Sequence, residues 1–131
     1  MSKKILISAG VLGITSIILG AFGAHALKAL IESDAQLSFE IGVRYQMYHA
    51  LFLLFVGTTA FISDKAKKII YYLTILGVIL FSGSIYGLAT NNLFSGFDFK
   101  SIGFITPIGG LCFIVSWGVL FVSLIKTKPN Y

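Results

Sequence analysis

Charge is what this sequence has least of. Lys, Arg, Asp and Glu together make up 11% of its 131 residues, and 56% are apolar, where a soluble domain carries about 25% charged residues. So small a supply cannot cover a water-facing surface, and lipid is the solvent that fits this composition. Cysteine is nearly absent too. Cys112 stands alone, which excludes an intramolecular disulfide and leaves a small packing residue inside an apolar run. No Asp or Glu falls within any apolar run, and this removes the intramembrane carboxylates typical of proton-coupled transporters. The chain lacks a G-x-x-x-x-G-K-[ST] loop and a G-x-S-x-G elbow, so neither a nucleotide phosphate nor an acyl-transfer nucleophile has its usual seat.

What charge there is carries information. Ten Lys and Arg against five Asp and Glu leave +5, a balance that in a soluble protein raises the question of nucleic acid. Here the positives lie in short clusters between apolar runs, which the positive-inside rule explains, and no nucleic-acid partner is expected.

The charge-free runs are Ile5 to Ala24, Tyr45 to Ser63, Ile69 to Phe97 and Ser101 to Ile125, of twenty, nineteen, twenty-nine and twenty-five residues. About 20 helical residues cross the hydrocarbon, so each run spans once and none spans twice. The expectation is an all-α, single integral membrane domain over residues 1–131, a four-transmembrane-helix antiparallel bundle. Its spans are expected at about 5–25, 44–63, 69–91 and 106–126. With the N-terminus inside, Lys3, Lys4, Lys65, Lys67, Lys68, Lys126 and Lys128 are inside and only Lys28, Arg44 and Lys100 outside. Both termini are therefore expected in the cytoplasm, with the chain multi-pass in a bacterial cytoplasmic membrane.

The N-terminus has a competing reading, because Lys3 and Lys4 before an apolar run and Ala24-His25-Ala26 after it imitate a cleaved signal. The run is longer than a signal h-region of about 7 to 15 residues. Ala9, Gly13, Ser16, Gly20 and Ala24 recur mostly at spacings of three or four, a stripe that suits a retained helix packed against a neighbour. Close packing is expected likewise at Gly23, at the G-x-x-x-G pair Gly83 and Gly87, and at Gly109 and Gly110.

Boundaries are read from local signals. Ser38 can cap a helix that runs through Glu40, Arg44 and His49 into the membrane, after an interfacial segment. Asn91 and Asn92 offer a stop, while Thr106 and Pro107 read as a cap and first helical residue. The connection between them holds Phe94, Phe97, Phe99 and Phe104 and belongs in the headgroup region, either as a membrane-hugging loop or as a lid. Trp117 falls near mid-membrane and reads as packing.

On this topology His25 ends the first span and His49 lies about one turn below the outer end of the second, so the two share a layer. Arg44, Tyr45, Gln46, Tyr48, Tyr86, Asn91 and Thr106 join them, and a polar layer within a membrane is the default place to look for a site. The bland alternatives stand beside this: His25 can simply meet water at a helix C-terminus, and His49 can make one hydrogen bond that ties the second helix to the first. Arg44 with Tyr45, Tyr48 and His49 has the donors to hold a lipid phosphate. Two histidines without neighbouring ligands are too few for a closed zinc site, and no metal or cofactor is assigned.

The blocks Gly20-Ala21-Phe22-Gly23-Ala24-His25, Arg44-Tyr45-Gln46 with Tyr48-His49, Phe81-Ser82-Gly83-Ser84-Ile85-Tyr86 and Thr106-Pro107-Ile108-Gly109-Gly110 follow one another along the chain. Together they resemble the signature of the YgdD/YwdK family of small bacterial inner-membrane proteins of unknown function. The resemblance implies four membrane helices and no signal cleavage, and it brings no catalytic residue or ligand. The expected role is non-enzymatic: binding a lipid headgroup or small amphiphile, or supporting a membrane assembly. Membrane lipids, a second copy or another membrane protein are the expected partners. The alternatives are a transporter or channel component, which needs a polar path that the apolar inner halves do not offer, and a haem or metal protein using His25 and His49.

Overall fold

The computed structural model describes residues 1–93 and 96–127, so the expectations at Phe94 and Lys128 lie outside the described residues. The described chain is helical throughout its regular structure: α1 (Ser2–Ala24), α2 (Ser33–Thr58), α3 (Asp64–Ala89) and α4 (Ile105–Lys126), with short 3₁₀ turns in the connections.

α1, α3 and α4 are long and apolar enough to cross a membrane. α2 has 26 residues, but Arg44, Gln46 and His49 near its middle make it less apolar than the others. Its start corrects the expected one. Glu32 takes the extended backbone of an N-cap and Asp34 lies in the first turn, where a carboxylate favours the positive end of the helix dipole. Ser38 is thus interior to the helix, which ends at Thr58, short of the expected 63.

α3 opens on a side-chain cap, Ser63 Oγ accepting the Ala66 N–H at 3.2 Å. Midway it widens into a π turn over Val78–Gly83, then resumes over Ser84–Ala89. It stops there, with Thr90 as C-cap and Asn91 next in the chain, within two residues of the expected stop. α4 begins at Ile105, so Thr106 and Pro107 occupy its first turn rather than its cap, a place where the missing proline N–H breaks no helical bond.

The pairing of the helices follows from their glycines. α1 runs antiparallel along α2: a Cβ at Gly23 would meet Phe39 at 2.9 Å, at Gly20 Val43 at 3.4 Å, and at Gly57 Leu6 at 2.7 Å. α3 and α4 pair in the same sense through Gly77, beneath the Phe113 ring at 2.6 Å, and through Gly109, pressed on the backbone of Leu80 and Phe81. Gly87 is covered by Phe99 from the connection. Among the described residues a Cβ at Gly13 would meet nothing within 4 Å, and one at Gly83 only a carbonyl of its own helix at 3.9 Å, so the expected helix contacts at these two are not made among them.

Large apolar side chains point outward, among them Ile14, Ile17, Ile114, Phe121 and Ile125. Beside a buried apolar cluster around Leu53 and Ile70, the interior holds hydroxyls that join helices: Thr74 with Ser116 at 2.7 Å, Ser82 donating to the Gly42 carbonyl at 2.7 Å, and Ser84 with Thr106. Lipid tails are as apolar as leucine, so such bonds and close packing, not apolar burial, hold helices together in a bilayer.

Candidate functional site

The residues expected to form one polar layer divide among six places. His25 is the exposed C-cap of α1, its N–H bonded to the Ala21 carbonyl at 3.2 Å. Beside it, Gln36 Nε2 reaches the Gly23 carbonyl at 2.5 Å. His49 lies thirteen residues beyond Gln36, a descent of about 20 Å at about 1.5 Å per residue. The two histidines therefore share no layer and no ligand, which corrects the expected match in depth. The cause is the early start of α2, whose first turns overlap the end of α1.

Gln46 forms the second place. It is buried, and its Nε2 donates to Thr15 Oγ1 at 2.6 Å and to the Leu12 carbonyl at 3.0 Å, while Tyr86 donates its hydroxyl to Oε1 at 2.7 Å. One amide thereby joins α1, α2 and α3. Tyr86 also covers Gly42 and packs against Phe39 at 5.0 Å.

One turn further on, His49 has both ring nitrogens engaged. Nδ1 lies 2.7 Å from the Tyr45 carbonyl, and Trp117 Nε1 lies 3.1 Å from Nε2. Indole N–H is only a donor and a carbonyl only an acceptor, so the ring must be the neutral tautomer with its hydrogen on Nδ1. Its one lone pair accepts from Trp117. Phe113 stacks on the imidazole at 3.7 Å and 11°. A metal or haem iron at His49 would have to displace the indole, and among the described residues no cluster of three His, Cys, Asp or Glu side chains is placed to hold a metal.

Around this pair α2 and α4 diverge. A groove of about 490 Å³ opens on one side, lined by Tyr45, His49, Phe81, Gly110, Phe113 and Trp117. A second of about 590 Å³ continues past Trp117 along Tyr48, Phe52, Phe55 and Leu120. Both face the surroundings rather than the helix interior.

Arg44 lies elsewhere, one residue round the helix from Tyr45. It is exposed and, with Glu40, edges a recess of about 220 Å³ against Gly20 and Gly23 of α1. It thus stands apart from the groove that Tyr45 and His49 line. Thr106, the last of the expected set, bonds Ser84 and joins α4 to α3.

The connection after α3 has its own order. Asn91 donates to Asp98 Oδ1 at 3.0 Å and accepts the Phe99 N–H at 2.8 Å, and Lys100 N–H reaches the same carboxylate oxygen at 3.0 Å. The Lys100 N–H and then the Asn91 amide hold the Asp98 carboxyl below its usual range. This seats Phe99 on Gly87, away from the groove.

Trp117 and Phe113 were missed as site residues. Trp117 is 68 positions from its partner, and an indole in an apolar run reads as packing. The signal present was that a buried imidazole requires a donor and this chain has one tryptophan.

The family profile described as Protein of unknown function (DUF423) matches residues 19–110. The chain is 36% identical to the membrane protein YwdK of Bacillus subtilis, over 95% of this chain and 98% of that one. It is 34% identical to a UPF0382 membrane protein of Haemophilus influenzae over 98% of each, and 32% identical to the inner membrane protein YgdD of Escherichia coli over 97% and 93%. No solved structure matches. Relatives named as membrane proteins, and apolar helices able to span, make this a multi-pass protein of the cell membrane. With most of its length matched by the family profile and nearly all of it by these relatives, the chain belongs to the DUF423 family.

Proposed function

We propose that this protein is a non-enzymatic membrane component that holds the apolar chain of a lipid or small amphiphile in the groove between α2 and α4. In this reading α2 is the fourth span, the helices form an antiparallel bundle, and both termini are cytoplasmic, as the lysines at the starts of α1 and α3 favour. The observation that carries it is the groove itself: about 490 Å³ and 590 Å³ of space meeting at Trp117, within the range of small-molecule sites. Tyr45, Phe81 and Phe113, with ring centres 5.0 to 6.5 Å apart, supply an aromatic wall, and the bonded pair His49 and Trp117 continues it. The His49 ring and the Trp117 indole are already paired with each other, so the part of the groove that they line favours an apolar guest over a headgroup. A transporter would need a polar path through the inner halves, where Ile5, Leu53, Val56, Ile70 and Leu120 are buried together.

Trp117 is the only tryptophan, so its fluorescence reports the groove directly. In nanodiscs, lipids brominated at mid-chain should quench it, and a non-brominated amphiphile that occupies the groove should restore the emission at sub-stoichiometric ratio to lipid. Quenching that depends only on the bulk fraction of brominated lipid, for every amphiphile tried, would overturn the reading.

A further inference from the structure

The end of the molecule where α1 and α3 begin holds a cluster of ammonium and hydroxyl groups. Lys67, in the first turn of α3, is only 7% exposed, and among the described residues its ammonium makes a single hydrogen bond, to Ser2 Oγ at 3.3 Å. An ammonium has three donors. Among the described residues no carboxylate pairs with it, and a buried charge without a counter-ion is costly.

The partners in this cluster come from the first turns of α1. Lys4 Nζ donates to Tyr72 OH at 3.2 Å and stands 5.4 Å from the centre of that ring. Tyr71, buried beside it at 5.1 Å between ring centres, shares a hydrogen bond with Ser8 at 2.6 Å. Lys67 thus crosses from α3 to Ser2 and the exposed Lys4 crosses from α1 to Tyr72, so two ammonium groups bridge the starts of the same two helices, with the exposed Lys3, Lys65 and Lys68 on those turns. Just above, the same two helices expose Ile7, Val11 and Leu76.

We propose that this is a binding site for the phosphate of an anionic lipid headgroup, which Lys67 and Lys4 hold through charge-assisted hydrogen bonds. Its acyl chains lie along the exposed apolar faces of α1 and α3. The adjacent apolar surface is what distinguishes a lipid from a free anion here, and a basic cluster between helices at the membrane surface is suited to such headgroups. The site is separate from the groove at Trp117 and does not depend on it.

Native mass spectrometry of the full chain in mild detergent tests this, with phosphatidylglycerol, phosphatidylcholine or inorganic phosphate offered in turn. Phosphatidylglycerol is expected to remain bound and the other two are not. Lys4→Gln with Lys67→Gln should lower its retention by at least about tenfold, the scale of a lost charge-assisted contact. Lys65→Gln with Lys68→Gln removes the same charge and should change retention by less than about twofold, since neither ammonium takes part in the bonds that link the starts of α1 and α3 and an unpaired surface charge contributes little. Equal loss in the two double variants, equal retention of phosphatidylcholine, or displacement of the lipid by inorganic phosphate would each overturn the proposal. If Lys67→Gln does not fold, Lys4→Gln and Lys67→Arg decide: retention must fall in the first and persist in the second, and any other result rejects the site.

Discussion

The indole N–H of Trp117 donates to Nε2 of His49 across 3.1 Å, joining α2 to α4 where the two helices otherwise diverge around the groove. The bond fixes the imidazole as its Nδ1-protonated tautomer, which in turn caps the Tyr45 carbonyl at 2.7 Å. Phe113 then has a flat neutral ring on which to stack.

Removing the donor leaves Nε2 without a partner, and the loss should be measurable but small. Membrane double-mutant cycles average about 0.6 kcal/mol with a maximum of about 1.7. Trp117→Phe and His49→Phe, taken singly and together through reversible unfolding in detergent, should give a coupling energy in that range. A coupling of zero would mean that the pair does not bridge the helices.

The glycines divide by what faces them. A methyl at Gly109 would press on the backbone of Leu80 and Phe81, which cannot rotate aside as a side chain can. Gly109→Ala should therefore cost about 1 to 3 kcal/mol, the usual range for overpacking. Gly13→Ala meets open space and should gain up to about 1 kcal/mol from helix propensity. Thermal unfolding of the two variants checks the pair, and equal effects would contradict the α3–α4 contact.

The sequence made the membrane, the helices and most of the polar residues legible, because charge-free runs and lipid thickness leave little freedom. Depth was harder to read. The start of α2 was placed by Ser38, although Glu32 and Asp34 form the actual helix beginning, and that shift carried His49 away from His25. Contact partners were the other loss. Nothing local marks Trp117 as the donor to His49, and the spacing of Gly83 and Gly87 looks like a helix contact whether or not a helix lies opposite. Gly77, Gly42 and Gly57 were passed over for the converse reason: each is covered by side chains from a distant segment, foremost Phe113, Tyr86 and Leu6.

Asp98 gives the protein a pH-dependent connection. Its folded carboxyl is held below the ordinary aspartate value of 3.8 by the Lys100 N–H and the Asn91 amide. A depressed folded value means the charged form is the one bound. The contribution is thus fully present above 3.8 and is lost as pH falls through the lower folded value. At neutral pH the Asn91–Asp98–Phe99 bonds should protect the Phe99 and Lys100 amides from hydrogen exchange. Protection, corrected for the intrinsic rate, should fall below 3.8 while the amides of α3 and α4 keep theirs. Asp98→Asn retains an oxygen for the Lys100 N–H but cannot titrate, so its residual protection should be flat across the same range. Were the wild-type profile equally flat, the carboxylate would not be what seats Phe99 on Gly87.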